Sequence, residues 1–529
     1  MKLKKYLNLK KMKNYLHILS LILILSNNLF AQINVNNWTW IKGSNLRNQA
    51  GYYGFIGNPS AANSPGGRFG QVTSSTLTGK LFLMGGSGYD NLGNLGFLND
   101  LWQFDPSTNN WVWLKGSLYK GQAGNYGVKG TAAPLNTPGG RAGSTSWFLN
   151  GKFYIMDGYG FDKVGNPGYL NDFWQFDPST NNWKWLRGSD VVDKLGIYGI
   201  KGTAATLNEP GSRYGAISWN TNVLYMMGGH GYGSGMNTGS LNDLWKYDPT
   251  ANNWTWLKGG NTTNQSGIYG VKGVSDPNNT PGSRYDSFSW ELNGQLYLMG
   301  GTIFDAIGVK GYGNDLWKYN PVTNNWIWLK GSSFADPPDN FGTKGISNSN
   351  NTPGGRRGSA TWVFNNKLYL MGGEQLYGSY NDLWEFDTET NNWTWLKGSN
   401  IPTQIGNYGT IGISSASNTP GSRLFPGSAY LYNFKLYLMG GNGTDNTLNQ
   451  GHLNDVWEYV PCQQTVSVTN GNWDNPNTWS CGKVPTYNET VKIGHTISIT
   501  GTGNCKNIIY TIGGKVNILG GGILQISTP

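Results

Sequence analysis

The stretch Asn99-Asp100-Leu101-Trp102-Gln103-Phe104-Asp105-Pro106-Ser107-Thr108-Asn109-Asn110-Trp111-Val112-Trp113-Leu114-Lys115-Gly116 decides the fold. Its two runs, Leu101–Asp105 and Asn110–Leu114, are rich in aromatic and β-branched residues, and the segment between them is a tight polar turn. The stretch therefore reads as a strand, a turn and a returning strand. Trp111 and Trp113 stand two apart, so their rings share one strand face. Asn-Asp-Leu-Trp or a close variant recurs with tryptophans at Trp102, Trp174, Trp245, Trp317, Trp384 and Trp457. Asn-Trp-x-Trp recurs with it.

Working upstream, each copy is preceded by a Gly pair, as at Gly85-Gly86 and Gly300-Gly301, with Asp157-Gly158 in the second copy. About 16 residues earlier stands Pro-Gly-Gly/Ser-Arg, with arginines at Arg68, Arg141, Arg213, Arg284, Arg356 and Arg423. The arginine spacings are 73, 72, 71, 72 and 67. Two more strand-like runs, near Gln71–Leu77 and Lys80–Met84, complete a set of four, a to d, with short a–b and c–d turns. Four antiparallel strands at a fixed period make a propeller blade. The termini are offset. Asn37-Trp38-Thr39-Trp40 is a strand d with nothing before it, and Asp455-Val456-Trp457 is a strand c with no d after it. The spacing predicts an all-β, six-bladed ring closed by its N-terminal strand.

The 529 residues include 79 Gly, 24 Trp and 30 Tyr with 13% charged residues, a composition of turns and large aromatic cores rather than of disorder. The net charge of +10 owes six units to Lys2, Lys4, Lys5, Lys10, Lys11 and Lys13. The remainder is too diffuse for a nucleic-acid surface. Those lysines, the apolar run Ile18–Leu25 and Ala31 read as a secretory signal over 1–31. Its cleavage leaves an exported chain, secreted or at the cell surface, with no transmembrane segment.

The Gly pair, Asp-Leu-Trp and Trp-bearing outer strand resemble the kelch repeat over 32–461. Each copy is longer than the ~50 residues usual for that family. Galactose oxidase and its copper radical relatives carry a similar propeller, with a cysteine in the cofactor. The propeller here has no cysteine, so the resemblance does not extend to that site, and no cofactor or metal is expected. His-Glu-x-x-His, Gly-x-Ser-x-Gly and phosphate-loop motifs are also absent from the sequence.

In an up-and-down blade the long b–c and d–a loops share one face, which becomes the expected binding face. The d–a loops repeat Gly-x-Tyr-Gly-x-Lys-Gly, with Tyr53, Tyr126, Tyr198, Tyr269, Phe341 and Tyr408 at the aromatic position. Lys129, Lys201, Lys272 and Lys344 hold the lysine position, which Ile56 and Ile411 take elsewhere. These residues either clamp each loop to its blade or meet a ligand. The arginines are expected to meet backbone or acidic groups at each strand start. Departures from the repeat are sharper candidates: Asp157, His230, Glu374 and His452, all in b–c loops. The expected ligand is a glycan or an extracellular protein. A hydrolase or lyase using loop carboxylates such as Asp157 and Glu374, and a structural spacer, are the alternatives.

Beyond residue 461 the repeat stops. Residues 462–529 carry short alternating runs between glycines and read as a small β-rich module resembling the start of a right-handed parallel β-helix. Cys462, Cys481 and Cys505 all lie there, enough for one disulfide among three possible pairings.

Overall fold

The computed structural model describes residues 35–76, 78–431 and 434–526. The proposed signal segment at 1–31 lies outside them. Among the described residues the chain is all-β apart from one 3-10 turn at Pro476–Thr478, and no helix there is long and apolar enough to cross a membrane. One compact unit comprises Thr39–Ile413 with Ser417–Glu458, and the other holds the remaining described residues.

Within the first unit the four-stranded antiparallel sheet of each repeat runs in the order a-b-c-d, as in Val72–Ser75, Leu81–Met84, Leu101–Asp105 and Asn110–Lys115. Trp102 faces Trp113 and Phe104 faces Trp111 across strands c and d. These rings pack edge-on or tilted, with Trp111 and its equivalents Trp183, Trp254, Trp326 and Trp393 almost wholly buried. Each can remove roughly 150–250 Å² from water, so the aromatic layers carry most of the packing energy. In the last repeat the strand beside Gln450–Val460 is Asn37–Lys42, the N-terminal strand.

Strand b does not stop at the Gly pair. In the first repeat it resumes as Ser87–Tyr89, pairs with Arg68–Phe69, and forms an arm with Leu95–Phe97. In the later repeats arm and strand merge, as in Gln295–Phe304. The Gly pair adopts positive φ (Gly85 +64°, Gly86 +97°), and a Cβ on Gly85 would meet the Arg141 carbonyl oxygen at 2.8 Å. Glycine turns the chain there at least cost, and only the second repeat puts a side chain, Asp157 (φ +62°), at the first position of the pair.

Two series of hydrogen bonds run from repeat to repeat around a common axis. The amides of Gly143, Gly215, Asp286, Gly358 and Phe425 each donate to the carbonyl of the corresponding residue one repeat earlier, starting from Gly70 (2.7–3.0 Å), and Gly70 donates to Phe425 (3.3 Å). Deeper, Ser146, Ser218, Ser289 and Thr361 donate hydroxyl protons to the preceding repeat's strand a, and Thr73 donates to the Ser428 carbonyl at 2.7 Å. Both series therefore link the last repeat to the first. Outside them, Asn99, Asn171, Asn242, Asn314 and Asn381 reach the prolyl carbonyl of the next repeat, and Asn454 reaches Pro65 at 3.2 Å.

The second unit holds parallel pairings. Thr490–Ile493 pairs with Asn507–Tyr510, Thr496–Ile499 with Lys515–Ile518, and Thr502–Cys505 with Ile523–Ile526. Successive passes of the chain thus add a strand to each of three sheets, around a core of Trp473, Trp479, Val491, Ile493, Ile497 and Ile499. Cys462 and Cys481 form the disulfide, and Cys505 is buried as a free thiol, its pKa pushed up to about 11 by that burial.

Candidate functional site

Each repeat centres on a buried ionic knot. Arg213 grips Asp243 through both terminal nitrogens (2.7 and 2.8 Å), and the same carboxylate accepts from Trp245 Nε1 and Tyr198 Oη, each at 2.7 Å. The arrangement recurs around Asp100, Asp172, Asp315 and Asp455, with Tyr53, Tyr126, Tyr269 and Tyr408 as the phenol donors. A buried ion pair is tolerable only when its remaining hydrogen-bonding sites are filled, and the tyrosine and tryptophan fill them. These five tyrosines are at most 6% exposed. Burial first, then the neighbouring aspartate, pushes their hydroxyls well above the ordinary phenol range. They face the interior, so of the two readings of the loop motif these tyrosines take the clamp under each loop. Phe341 takes the same seat against Trp384 and Trp395 without a hydroxyl.

The four lysines of the loop motif are latches. Lys129, Lys201, Lys272 and Lys344 lie 4.1–4.3 Å from the ring centroids of Trp185, Trp256, Trp328 and Trp395. Each donates to the carbonyl of Gly188, Gly259, Gly331 or Gly398 at 2.6–2.9 Å. The ammonium thus pins the loop to the outer strand through a cation–π contact and a hydrogen bond. Asp157 points inward too. It is fully buried, its carboxylate accepts from the Thr145 amide at 2.7 Å, and its backbone supplies the carbonyl that Arg141 grips. Desolvation holds its carboxyl well above the ordinary range. It presents no group to the loop face.

His230, Glu374 and His452 are placed differently. Each follows the Gly pair or closes the arm, and so stands over the axial mouth beside the residue that follows the repeated arginine. His230 packs between Tyr214 and Tyr285, at 5.9 and 5.3 Å between centroids, with Tyr169 at 6.0 Å. His452 packs on Phe69 (5.0 Å), which lies 6.2 Å from Phe425. Glu374 accepts from Arg357 Nε at 2.7 Å and pairs with its Nη2 at 2.6 Å. The guanidinium is also 3.6 Å from Asp286 and stacks 5.7 Å from both Tyr312 and Phe425. A rim of aromatic rings thus carries one arginine and two carboxylates. Beneath it lies a cavity of about 140 Å³ lined by the hydrogen-bonded residues of the axial ring.

Electrostatics single out Asp286. Its burial raises its pKa to about 7 against the pull of Arg357 and with the repulsion of Glu374. It and Phe425 hold left-handed backbone angles (φ +57° and +48°) in the ring position that Gly70, Gly143, Gly215 and Gly358 hold elsewhere. A non-glycine residue there is strained, most of all a bulky one. Burial likewise lowers the pKa of His230 and His452, and His230 Nδ1 and His452 Nε2 have no hydrogen-bond partner among the described residues. No group of three or more metal-binding side chains occurs among the described residues. Asp286, Arg357, Phe425 and the rim tyrosines were not singled out from the sequence. Aligning the two residues after each repeated arginine would have found them, since Arg357, Asp286 and Phe425 break those columns.

The kelch motif matches residues 68–117, 140–189, 214–260 and 355–400. Among curated proteins, the N-acetylneuraminate epimerase of Escherichia coli K12 is 26% identical over 333 residues, spanning 59% of this chain and 76% of the relative. The protein of the same name from Shigella flexneri is 25% identical over the same shares, as is N-acetylneuraminate epimerase 2 of Escherichia coli O6:H1. Four kelch-motif matches in register with its sheets, together with the likeness to these epimerases, support a kelch-repeat propeller.

Proposed function

We propose that the six sheets are the blades of a six-bladed propeller over residues 32–461, closed by Asn37–Lys42, and that the protein is a secreted or cell-surface binder that holds a sugar at the axial mouth of its loop face. Residues 462–529 form, in this reading, the first coils of a parallel β-helix. Closure is supported by the two hydrogen-bond series that run from the sixth repeat back to the first. One observation carries the binding reading: the exceptions to an otherwise uniform repeat converge on one mouth. Asp286, Arg357, Glu374, Phe425, His230 and His452 all belong there. Aromatic faces suit the apolar face of a sugar ring, and the Arg357 fork, the carboxylates and the unpaired imidazole nitrogens suit its hydroxyls. The relatives' name supports a sugar rather than a protein ligand.

The test is calorimetric titration of a monosaccharide panel that includes N-acetylneuraminate. Arg357→Ala and Tyr285→Ala should each weaken binding at least tenfold with the thermal midpoint held within a few degrees. Unchanged affinity in folded variants would overturn the site. A second reading, conversion of the bound sugar, is favoured by Asp286, whose pKa of about 7 suits proton transfer near neutrality. Epimer exchange followed by NMR should then appear in the wild type and vanish in Asp286→Asn. A glycosidase built on Asp157 has less support, because that carboxylate is sealed in the interior.

A further inference from the structure

A second cleft lies at the rim, away from the axial mouth. It has a volume of about 550 Å³ and is lined by Lys201, Lys258, Gln265, Asn278, Thr280 and Asn324, among other residues, none of them acidic. Lys201 donates to the Gly259 carbonyl at 2.7 Å, and Lys258 donates to the Pro277 carbonyl at 2.7 Å. Among the described residues no carboxylate forms an ion pair with either ammonium. Asp276, whose charge reaches Lys258, spends a carboxylate oxygen on the Asn278 amide at 2.7 Å. Two cations thus share a polar cleft that no carboxylate lines. Burial, and for Lys258 also the charge of Lys201, lowers both ammonium pKa values, so a bound anion would relieve the cleft.

The preceding repeat shows what fills such a cleft. There Lys129 stands for Lys201 and Arg187 for Lys258, and Arg187 donates to the Thr206 carbonyl at 2.7 Å, as Lys258 does to Pro277. The position of Thr280 is taken by Glu209. Its carboxylate accepts from Arg187 Nη2 at 2.9 Å and Nε at 3.2 Å, and its charge also acts on Lys129. Where the chain supplies an anion of its own, it is a carboxylate acting on both cations.

The following repeats return to paired lysines with threonine in place of Glu209. Lys272 and Lys330 have Thr352 at the third position, with Lys330 donating to the carbonyls of Ser349 (2.8 Å) and Asn391 (2.7 Å). Lys344 accompanies Lys397, with Thr419 at the third position. Burial and the paired lysine push both Lys330 and Lys397 down to about 8.

We propose that the Lys201/Lys258 cleft and its Lys272/Lys330 and Lys344/Lys397 counterparts each bind the carboxylate of an acidic sugar, seated where Glu209 places its carboxylate in the Lys129/Arg187 cleft. The volume exceeds what a bare carboxylate needs, and the amides of Asn278 and Gln265 and the Thr280 hydroxyl suit neighbouring hydroxyl groups. The reading is independent of the axial mouth.

The experiment titrates D-glucuronate, D-glucose and acetate into the full chain carrying Arg357→Ala, so that the mouth is disabled. Glucuronate should bind with about three equivalents, and glucose and acetate at least tenfold more weakly. Thr280→Glu, Thr352→Glu and Thr419→Glu together should abolish glucuronate binding, while Glu209→Thr should add an equivalent. Lys258→Met, which adds no buried charge, serves as a second variant should the triple glutamate variant fail to fold, and should remove one equivalent. Glucuronate binding unchanged by these variants, or absent from the start, overturns the proposal. Acetate binding as tightly as glucuronate overturns the sugar part of it.

Discussion

Asp286 and Phe425 each occupy a backbone position that glycine holds in four of the six repeats. A residue kept in that conformation costs on the order of 1 kcal/mol relative to glycine, and Asp286 adds the desolvation of a carboxylate. Asp286→Gly should therefore raise the thermal midpoint while weakening sugar binding at the mouth, and a variant that loses stability would contradict the strain argument. The pH dependence has a definite sign. Because the folded pKa of about 7 lies above the ordinary value of 3.8, the folded state holds the proton longer than the unfolded one. The Asp286 contribution is thus most favourable below pH 4 and is lost as pH rises towards and through 7. Asp286→Asn should flatten that part of the stability curve, measured as urea midpoints between pH 4 and 8. At this scale the sequence was only half legible. His230, Glu374 and His452 stood out because they interrupt a repeat. For the loop tyrosines the sequence left clamping and ligand contact both open, because the partner that draws each ring inside, an aspartate 45–47 residues away, is not adjacent in sequence.

At the scale of one element, a repeat is a four-residue knot with strands around it. Asp243→Ala strands the Arg213 guanidinium in the interior and should cost roughly 3–5 kcal/mol in denaturant unfolding, whereas Tyr198→Phe should cost only about 1 kcal/mol. The fifth repeat is a natural control. It has Phe341, and Arg356 turns one terminal nitrogen to Asp339 at 2.8 Å. Burial holds the Asp382 carboxyl above its ordinary range despite Arg356. Phe341→Tyr restores the missing donor to Asp382 and should stabilise by about 0.5–1.5 kcal/mol. A drop in thermal midpoint would show that Asp339 has taken the space the hydroxyl needs. Strands a to d were readable to within a residue or two, since turn residues bracket them. The arm beyond the Gly pair was not, because segments such as Ser87–Tyr89 and Leu95–Phe97 are three residues long and show no alternation.

For the whole molecule, the displaced N-terminal strand was the most legible feature, because an orphan strand d needs an orphan strand c. Deleting residues 35–43 leaves the Gln450–Val460 strand with a bare edge. The midpoint should fall steeply and aggregation should rise, and a synthetic peptide of the same residues should restore solubility. In the second unit short strands were legible from glycine spacing, whereas parallel pairing was suggested only by a resemblance to a β-helix and the choice of Cys462 with Cys481 was not legible, since three cysteines offer no pattern to decide among pairs. The axial hydrogen bonds have a further consequence. All six amides point the same way around the axis, each towards the preceding repeat. Their dipoles therefore circulate and sum to almost nothing in the plane of the ring, so they contribute little net field there. The charge a visitor meets at that threshold comes from Arg357 and Glu374 with Asp286 beneath them, and exchanging Arg357 or Glu374 would recharge the entrance without disturbing the masonry below it.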